Sequence, residues 1–178
     1  MAGTNGLNLI EPMLPVLSKK IVESCDYVYQ VKWDGVRMLA YLSAGKVTLV
    51  NKRGHLRTEQ YPELQELPSL LKVSEAVLDG ELVVLQNGKP NFPAILKRDL
   101  SGSRQVKQAS KLYPIHFMVF DIPFAVRDLR KVPLLERQAI LDHRLVENEW
   151  VRIVENFPEG TSLFAAIKNQ DMEGIVIK

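Results

Sequence analysis

The chain has 178 residues, of which 46% are hydrophobic and 25% are charged, which is ordinary for one globular domain with a core of its own. Its formal net charge of +2 at pH 7 is too small to demonstrate a nucleic-acid partner, but it is compatible with one that meets a single basic face. The single cysteine excludes an internal disulfide, and its spacing from the three histidines is not that of a zinc site.

Nowhere do about 18 apolar residues follow one another, and prolines and a glutamate interrupt the apolar residues near the N-terminus. Neither a membrane span nor a secretion signal is therefore predicted, and we expect a cytoplasmic, intracellular protein. Residues 1–8 are small and polar and are expected to form a loose arm. Residues 11–15 contain two prolines and are expected to run extended along the core.

Apolar residues that alternate predict strands, and those at helical spacing predict helices. The predicted strands cover 27–31, 36–42, 46–50, 73–85, 114–122, 151–154 and 174–177, with turns at 43–45 and 87–88. The predicted helices cover 58–71, 91–98, 133–147 and 160–170. The helix at 133–147 is expected to turn Leu134, Leu135, Ala139, Leu141 and Leu145 inward.

Two further features complete the predicted layout. Pro123 is expected to stop the strand before it, and the polar stretch 99–111 is interpreted as a mobile surface excursion. No repeat or linker divides the chain. The pattern predicts an α+β fold in which β-sheets are flanked by helices packed outside them.

Lys32 lies where a predicted strand runs into a glycine turn, beside Asp34 and Gly35 and close to Arg37. A neighbouring cation favours the neutral, nucleophilic form of an amine, which gives this arrangement a chemical purpose. By itself the four-residue pattern is weak, because such patterns recur by chance and a solvated edge strand explains it equally well.

Four more charged or aromatic segments follow this one in order, and together they are far less accidental. The set comprises residues 32–37 (Lys-Trp-Asp-Gly-Val-Arg), 52–54 (Lys-Arg-Gly), 78–81 (Leu-Asp-Gly-Glu), 119–121 (Val-Phe-Asp) and 173–178 (Glu-Gly-Ile-Val-Ile-Lys). In this order they resemble the successive motifs of the covalent nucleotidyltransferases, which include ATP-dependent DNA ligases, RNA ligases and mRNA capping enzymes. The resemblance implies the nucleotidyltransferase fold, with mainly antiparallel sheets.

Three stretches between the motifs make the resemblance more particular. Residues 91–98 resemble the Phe-x-x-Leu-x-x-Arg segment of DNA ligases, and residues 128–137 resemble their Leu-x-x-x-Pro-Leu-x-x-Arg helix start. RNA ligases and capping enzymes usually lack both. Residues 11–14 are similar to the approach to the adenylation domain in bacterial and phage DNA ligases.

The resemblance implies that Lys32 attacks the α-phosphorus of ATP and becomes a lysyl-AMP with release of pyrophosphate. It implies that Arg37 and Arg53 hold ribose and phosphate oxygens, for which a guanidinium is suited. Glu81 would bind the ribose or a metal-bound water, and Glu173 would bind Mg²⁺.

Two further residues would contact the base. Phe120 corresponds to the aromatic ring that stacks on adenine, although periodicity alone favours a core position for it. Gln30, two residues before the lysine, is placed to hydrogen-bond the adenine edge, which would favour ATP over GTP. An ordinary strand glutamine is nearly as good an interpretation of Gln30.

Members of this superfamily continue past the segment at 173–178 into a strand with two phosphate-binding lysines and then an OB-fold domain. We expect residues 1–178 to be an adenylation domain truncated there, impaired when alone, that belongs to a monomeric enzyme acting on nicked double-stranded DNA. The alternatives are an RNA ligase or capping enzyme, and a non-catalytic module that binds nucleic acid through the basic residues of 97–111.

Overall fold

The computed structural model describes residues 9–178, so the loose arm expected at residues 1–8 lies outside the described residues. The strands of the described part are β1 (Tyr29–Lys32), β2 (Val36–Ser43), β3 (Lys46–Asn51), β4 (Glu75–Gln86), β5 (Lys89–Pro90), β6 (Ile115–Ala125), β7 (Arg127–Asp128), β8 (Val151–Ile153) and β9 (Gly174–Ile177). The α-helices are α1 (Leu67–Leu70), α2 (Phe92–Asp99), α3 (Val106–Leu112), α4 (Leu134–Arg144) and α5 (Gly160–Lys168).

The strands form two sheets. The larger has the order β3-β2-β4-β6-β7, with β5 paired to β4 and β8 paired to β6, and every pairing except β6 with β8 is antiparallel. The smaller sheet is the antiparallel pair of β1 and β9. Helix α2 contacts β4, α4 contacts β6, and α5 contacts both strands of the smaller sheet. The predicted α+β fold of mainly antiparallel sheets with flanking helices is confirmed.

Two-residue turns set the register of the larger sheet. Ala44 and Gly45 join β2 to β3 with φ values of 50° and 71°, and Asn87 and Gly88 join β4 to β5 with 53° and 77°. Positive φ at both central residues is the hairpin turn whose twist matches that of the strands. Ser43, expected in the first turn, is instead the last residue of β2 and pairs with Lys46.

Each sheet has its own apolar core. The larger core lies between the larger sheet and the segments that cover it, with fully buried side chains from β4, such as Leu78, and from α4, such as Leu141. In the smaller core, α5 contributes Leu163 and Ile167 against Tyr29 of β1. No helix in the described part of the chain is both long and apolar enough to cross a bilayer.

The single helix predicted at 58–71 is wrong. The segment folds as two 3₁₀ turns, Thr58–Gln60 and Pro62–Glu66, followed by the one-turn helix α1. Pro62 and Pro68 lack the N–H that a continuous helix would use at these positions; Pro62 is instead the first residue of the second 3₁₀ turn and Pro68 the second residue of α1. The apolar spacing is still used, since Tyr61, Leu64 and Leu67 are all buried.

The expected surface excursion at 99–111 is also wrong in part, because residues 106–112 form helix α3. Val106 and Ala109 are 8% and 7% exposed, so one face of this polar helix packs against the protein. Its small apolar residues were too few to give a periodic signal among the Lys, Gln and Ser residues around them.

Pro123 does not end its strand. It lies in a β-bulge of β6, where Ile122 and Pro123 together face a single residue of β4 between the pairs Val77 with Phe124 and Asp79 with Asp121. A bulged residue needs no ladder hydrogen bond, so a proline is tolerated there and the strand continues to Ala125.

The inward face of α4 is rotated from the one predicted. Leu141 and Leu145 are buried as expected, but Leu135 is 57% exposed and Ala139 is exposed. Gln138 is turned inward and is only 6% exposed. A buried amide must find hydrogen-bond partners, and those partners lie near the site described below.

β4 and β6 approach each other so closely at Gly80 that there is no room for a side chain there. A Cβ at this position would lie 2.6 Å from the carbonyl oxygen of Met118 and 2.6 Å from Phe117 Cε2. We expect Gly80→Ala to lower the free energy of unfolding by at least about 2 kcal/mol, because the clash involves backbone that cannot move aside. Urea denaturation followed by circular dichroism measures the change.

The matched control is Gly102→Ala, where an added Cβ meets nothing within 4 Å and no positive φ is present. We expect its stability to stay within about 0.5 kcal/mol of the wild type. Equal midpoints for both variants would show that the two strands can separate at Gly80 without cost.

Candidate active site

Lys32 and Glu173 meet because β1 and β9 pair. In this register Lys32 is opposite Gly174, and Glu173 immediately precedes β9. The Nζ of Lys32 donates a hydrogen bond to Oε1 of Glu173 in an ion pair. Their side chains are 37% and 39% exposed, so this pair lies open to ligands from solution.

Arg37 is held in the larger sheet by a bidentate ion pair with Asp79. Nε of Arg37 lies 2.6 Å from Oδ1 of Asp79, and Nη2 lies 2.7 Å from Oδ2. Burial alone would lower the Arg37 pKa, but the bonds and charge of Asp79, together with the charge of Glu81, raise it. Arg37 is therefore a fixed cation with two carboxylates beside it.

Glu81 is the carboxylate of this group that lacks a direct partner. It pairs across the sheet with Arg37, yet its side chain makes no hydrogen bond or ion pair with the described residues. Burial raises the Glu81 pKa from 4.5 to about 7, although the charges of Arg37, Lys32 and Lys52 act in the opposite direction. A mostly buried acid with a displaced pKa near the amine of Lys32 is a candidate functional group.

Glu81 and Glu173 meet only part of what a Mg²⁺ site requires. Glu81 and Glu173 offer the carboxylate oxygens that Mg²⁺ prefers, and the Lys32 charge acts on both. In the described part of the chain no three His, Cys, Asp or Glu side chains are grouped to hold a metal ion. Phosphate and water oxygens would have to complete the shell, as is usual for Mg²⁺.

Phe120 is turned towards this site by a second β-bulge in β6. Asp79 pairs with Asp121 and Gly80 with Val119, so Phe120 is the extra residue between them. Such a bulge redirects a side chain that would otherwise follow the strand alternation. The ring is contacted by two cations, with Arg37 Cζ 4.4 Å from its centroid and a lysine Nζ 4.3 Å from it.

That lysine is Lys178, which sequence reasoning did not assign a role. Burial lowers its pKa from 10.5 to about 8, although Asp121 and Asp79 act to raise it. A signal was available, because Lys178 ends the segment that begins at Glu173. The missing information was the fold of β6, since only the bulge brings Phe120 and Asp121 towards the end of β9.

Gln30 is buried in β1, with 2% of its surface exposed. Its Nε2 donates to Oδ1 of Asn156 at 2.8 Å and to the carbonyl oxygen of Val154 at 3.3 Å. Gln30 is therefore neither solvated nor an ordinary strand residue, because its side chain is fixed by the segment that follows β8. Asn156 was also missed from the sequence, where a single asparagine in a loop carries no signal.

The structure does not bring Arg53 to the other predicted residues. It lies in the exposed turn after β3, where its backbone N–H donates to Oδ1 of Asn51 at 3.0 Å. The preceding residue, Lys52, rather than Arg53, is the one whose charge lowers the pKa of Glu81. A contact between Arg53 and a nucleotide stays a prediction that would require its side chain to reach across from the turn.

Asp121 completes the polar residues around Phe120. Arg137 of α4 binds its carboxylate with two hydrogen bonds, Nε to Oδ1 at 2.8 Å and Nη2 to Oδ2 at 2.7 Å. Arg137 also bonds the carbonyl oxygen of Val132. This ion pair holds α4 against β6 and thereby stabilises the bulge at Phe120.

Comparison with known proteins points in the same direction as this geometry. A family model described as the ATP dependent DNA ligase domain matches residues 12–178. The SPbeta prophage-derived DNA ligase-like protein LigB of Bacillus subtilis (strain 168) is 27% identical over 172 residues, which cover 95% of this chain and 60% of that protein. The multifunctional non-homologous end joining protein LigD of Pseudomonas aeruginosa is 34% identical over 119 residues, or 66% of this chain and 13% of that protein.

A solved structure described as mycobacterial DNA ligase D complexed with ATP and MES has a TM-score of 0.65 and 25% sequence identity. The match covers 85% of this chain and 48% of that one. The chain thus spans 60% or less of the length of these proteins.

The raised pKa of Glu81 predicts a pH-dependent stability. Between pH 4.5 and about 7 the folded state keeps a proton that the unfolded state has lost, so the Glu81 contribution to stability falls as pH rises. Glu81→Gln removes this loss, and we expect the variant to gain about 1–3 kcal/mol relative to wild type between pH 4.5 and 7.5. Urea denaturation at each pH in EDTA measures the difference.

Glu66→Gln, at an exposed glutamate outside the site, is the matched control and should show a constant difference from wild type. A Glu81→Gln difference that is the same at pH 5 and pH 7.5 would contradict the assigned environment of Glu81.

Proposed function

The chain belongs to the ATP-dependent DNA ligase domain family, and from that premise we propose that it carries the nucleotide-binding and adenylation chemistry of a DNA ligase. The observation that carries the proposal is the position of the Lys32 amine. It contacts Glu173 and acts on the charge of Glu81, while Arg37 and Phe120 lie on the neighbouring sheet. Nucleophile, carboxylates, cation and aromatic ring thus occupy one region.

In the proposed first step, the Lys32 nitrogen attacks the α-phosphorus of ATP. The P–N bond forms, the bond between the α-phosphorus and the bridging oxygen breaks, and pyrophosphate leaves with that oxygen. The amine must give up its protons, so its ion pair with Glu173 has to be released before attack. Contact with Glu173 keeps the side chain in place until a nucleotide arrives.

Mg²⁺ bound to carboxylate and phosphate oxygens would neutralise charge on the transferring phosphoryl group. Glu173 and Glu81 are the residues we assign to this ion. A metal held there would engage the Glu173 carboxylate that pairs with Lys32 in this structure, and so would favour release of the Lys32 amine. Arg37, already fixed by Asp79, supplies a permanent positive charge beside them.

The base would stack on Phe120, with its edge against Gln30. Stacking requires one face of the ring, so adenine would take the place of Lys178, since Arg37, the other cation that contacts the ring, is fixed by Asp79. Arg37 and Arg53 are assigned to ribose and phosphate oxygens, and Glu81 also lies where a ribose hydroxyl could donate to it. We assign Gln30 to the exocyclic amino group of adenine.

The later steps concern DNA. AMP would pass from the Lys32 nitrogen to the 5′-phosphate of nicked double-stranded DNA, and a 3′-hydroxyl would then attack that phosphate and release AMP. These steps belong to the whole enzyme, of which we propose that residues 1–178 form the adenylation domain. We further propose a monomer that works in the cytoplasm.

Two alternatives receive less support. An RNA ligase or capping enzyme is disfavoured by the family match over residues 12–178 and by the DNA-ligase relatives. A non-catalytic nucleic-acid module is disfavoured by the contact between Lys32 and Glu173, since a chain that had lost the chemistry has no need to keep this partly exposed pair.

Labelling with α-³²P-ATP and Mg²⁺ tests the first step. We expect label that survives denaturing electrophoresis, is stable to alkali and is released by acid, as a phosphoramidate is. Lys32→Ala should reduce it to background, because no other side chain can replace the attacking nitrogen.

Lys72→Ala, at an exposed lysine outside the site, should label like the wild type. A folded wild type that takes no label, or a Lys32→Ala variant that labels normally, would overturn the proposed chemistry.

Glu173→Gln tests the metal assignment. We expect labelling to fall by about 100-fold or more, since one charged ligand of the Mg²⁺ that would neutralise the transferring phosphate is lost, and excess Mg²⁺ should not restore it fully. Glu155→Gln, an exposed glutamate in the segment after β8, is the control and should keep the wild-type rate and Mg²⁺ dependence. Unchanged Mg²⁺ dependence in Glu173→Gln would assign the metal to other residues.

A further inference from the structure

Two buried amides and a half-buried one form a continuous chain from β1 to β6. Asn156 accepts from Nε2 of Gln30 at 2.8 Å and donates through Nδ2 to Oε1 of Gln138 at 2.7 Å. Gln138 in turn donates through Nε2 to the carbonyl oxygen of Phe120 at 3.2 Å. Gln30 and Gln138 are 2% and 6% exposed and Asn156 is half-buried, so solvent has little access to the two glutamine side chains.

The direction of this chain is fixed at both ends. The carbonyl oxygens of Phe120 and Val154 can only accept, so Gln138 and Gln30 must each present their NH₂ group to them. Asn156 satisfies both neighbours in one orientation only. If its amide turned over, two oxygens would face each other at one end and two NH₂ groups at the other.

This fixed direction determines what Gln30 offers to a ligand. Both of its N–H groups are engaged, one with Asn156 and one with Val154. The polar atom that remains is Oε1, which makes no hydrogen bond to residues 9–178 and is not among their buried unpartnered atoms. Gln30 therefore presents an acceptor, and only an acceptor, to a bound group.

We infer that Asn156 and Gln138 are positioning residues that make the site select adenine over guanine, by holding Gln30 with its oxygen towards the base. This rests on the proposed function, in which the base stacks on Phe120 beside Gln30. Adenine carries an amino group at its 6-position, which donates to an oxygen. Guanine carries a carbonyl there, whose lone pairs would face the lone pairs of Oε1.

Without Asn156, only the longer bond to the carbonyl oxygen of Val154, at 3.3 Å, would hold the NH₂ group of Gln30, and Gln30 could turn that group towards the base and accept guanine as well. The side chain of Gln30 alone therefore cannot secure the choice, because a glutamine has both a donor and an acceptor end. Two backbone carbonyls fix the choice, that of Val154 by a direct bond to Gln30 and that of Phe120 through Gln138 and Asn156.

The experiment compares ATP with GTP as the labelled nucleotide. The measured quantity is the ratio of kcat/KM for label transfer to Lys32 from α-³²P-ATP and from α-³²P-GTP. We expect Asn156→Leu, which keeps the shape but removes both hydrogen bonds, to lower the ratio by about tenfold or more. We expect Asn156→Asp to stay within about threefold of wild type, because a carboxylate still accepts from Nε2 of Gln30 and keeps its orientation.

A merely structural role for the amides predicts a different result. It would lower the rates with ATP and GTP by the same factor and leave their ratio unchanged. A wild-type ratio in folded Asn156→Leu, or loss of selectivity in folded Asn156→Asp, would overturn the inference. Gln138→Leu offers a second test should Asn156→Leu fail to fold, with the same loss of selectivity expected.

Thermal stabilisation by each nucleotide separates this inference from the proposed chemistry. Wild type stabilised equally by ATP and GTP would overturn the inference whatever the labelling shows. Wild type that takes no label, but is stabilised by ATP over GTP in a manner that Asn156→Leu removes, would support the inference and overturn the adenylation step.

Discussion

The pairing of β1 with β9 is the constraint on which the site depends. Lys32 and Glu173 are 141 residues apart in the chain and meet only because these two strands of four residues are antiparallel. The two-stranded sheet is stabilised on one side by α5, whose Leu163 and Ile167 pack against Tyr29 of β1. Tyr29 also forms a β-bridge with Phe157. The proposed nucleophile is thus held by the second, smaller core, whereas Arg37, Glu81 and Phe120 belong to the larger sheet.

The buried charges of the chain fall into two kinds, and their partners distinguish them. Arg98 is fully buried, bonded to Glu63 at 2.7 and 2.8 Å and 5.2 Å from the ring centroid of Tyr61, so its charge is compensated within the fold. Glu81 is mostly buried without such a partner, and its pKa of about 7 records the cost of holding its charge there. Compensated charges are typical of structure, while an uncompensated carboxylate beside an amine is typical of a ligand site.

Local pattern predicted what local interactions determine. The strands, the two hairpin turns and the helix at α2 follow from alternation, glycine position and an Asn91 cap whose side chain accepts from the N–H of Ala94. The order of the motifs in the sequence predicts Lys32, Arg37, Glu81 and Glu173 as site residues. Most errors lie where a non-local pairing decides the outcome, and the exception is the helix predicted at 58–71, where the prolines are a local signal that the apolar spacing outweighed. Proline positions divided the segment at 58–71, and bulges against β4 allowed β6 to pass Pro123 and turned Phe120 outward. Asn156 and Gln138 gave no signal, because an amide network exists only once three distant segments are packed together.

The bulge at Phe120 links base recognition to the rest of the fold in two ways. It takes the Phe120 ring out of the alternating pattern of side chains along β6. In that position the ring is contacted by Arg37 and Lys178. A bulged residue is also left out of the ladder, so its carbonyl oxygen is available to accept from Gln138. One backbone irregularity therefore supplies both the surface on which a base can stack and the acceptor that orients the amide chain to Gln30. The charged groups around Lys32 take no part in that chain. In the proposed function, base selection and phosphoryl chemistry therefore use separate sets of residues, so the choice of nucleotide could be altered without removing the proposed nucleophile.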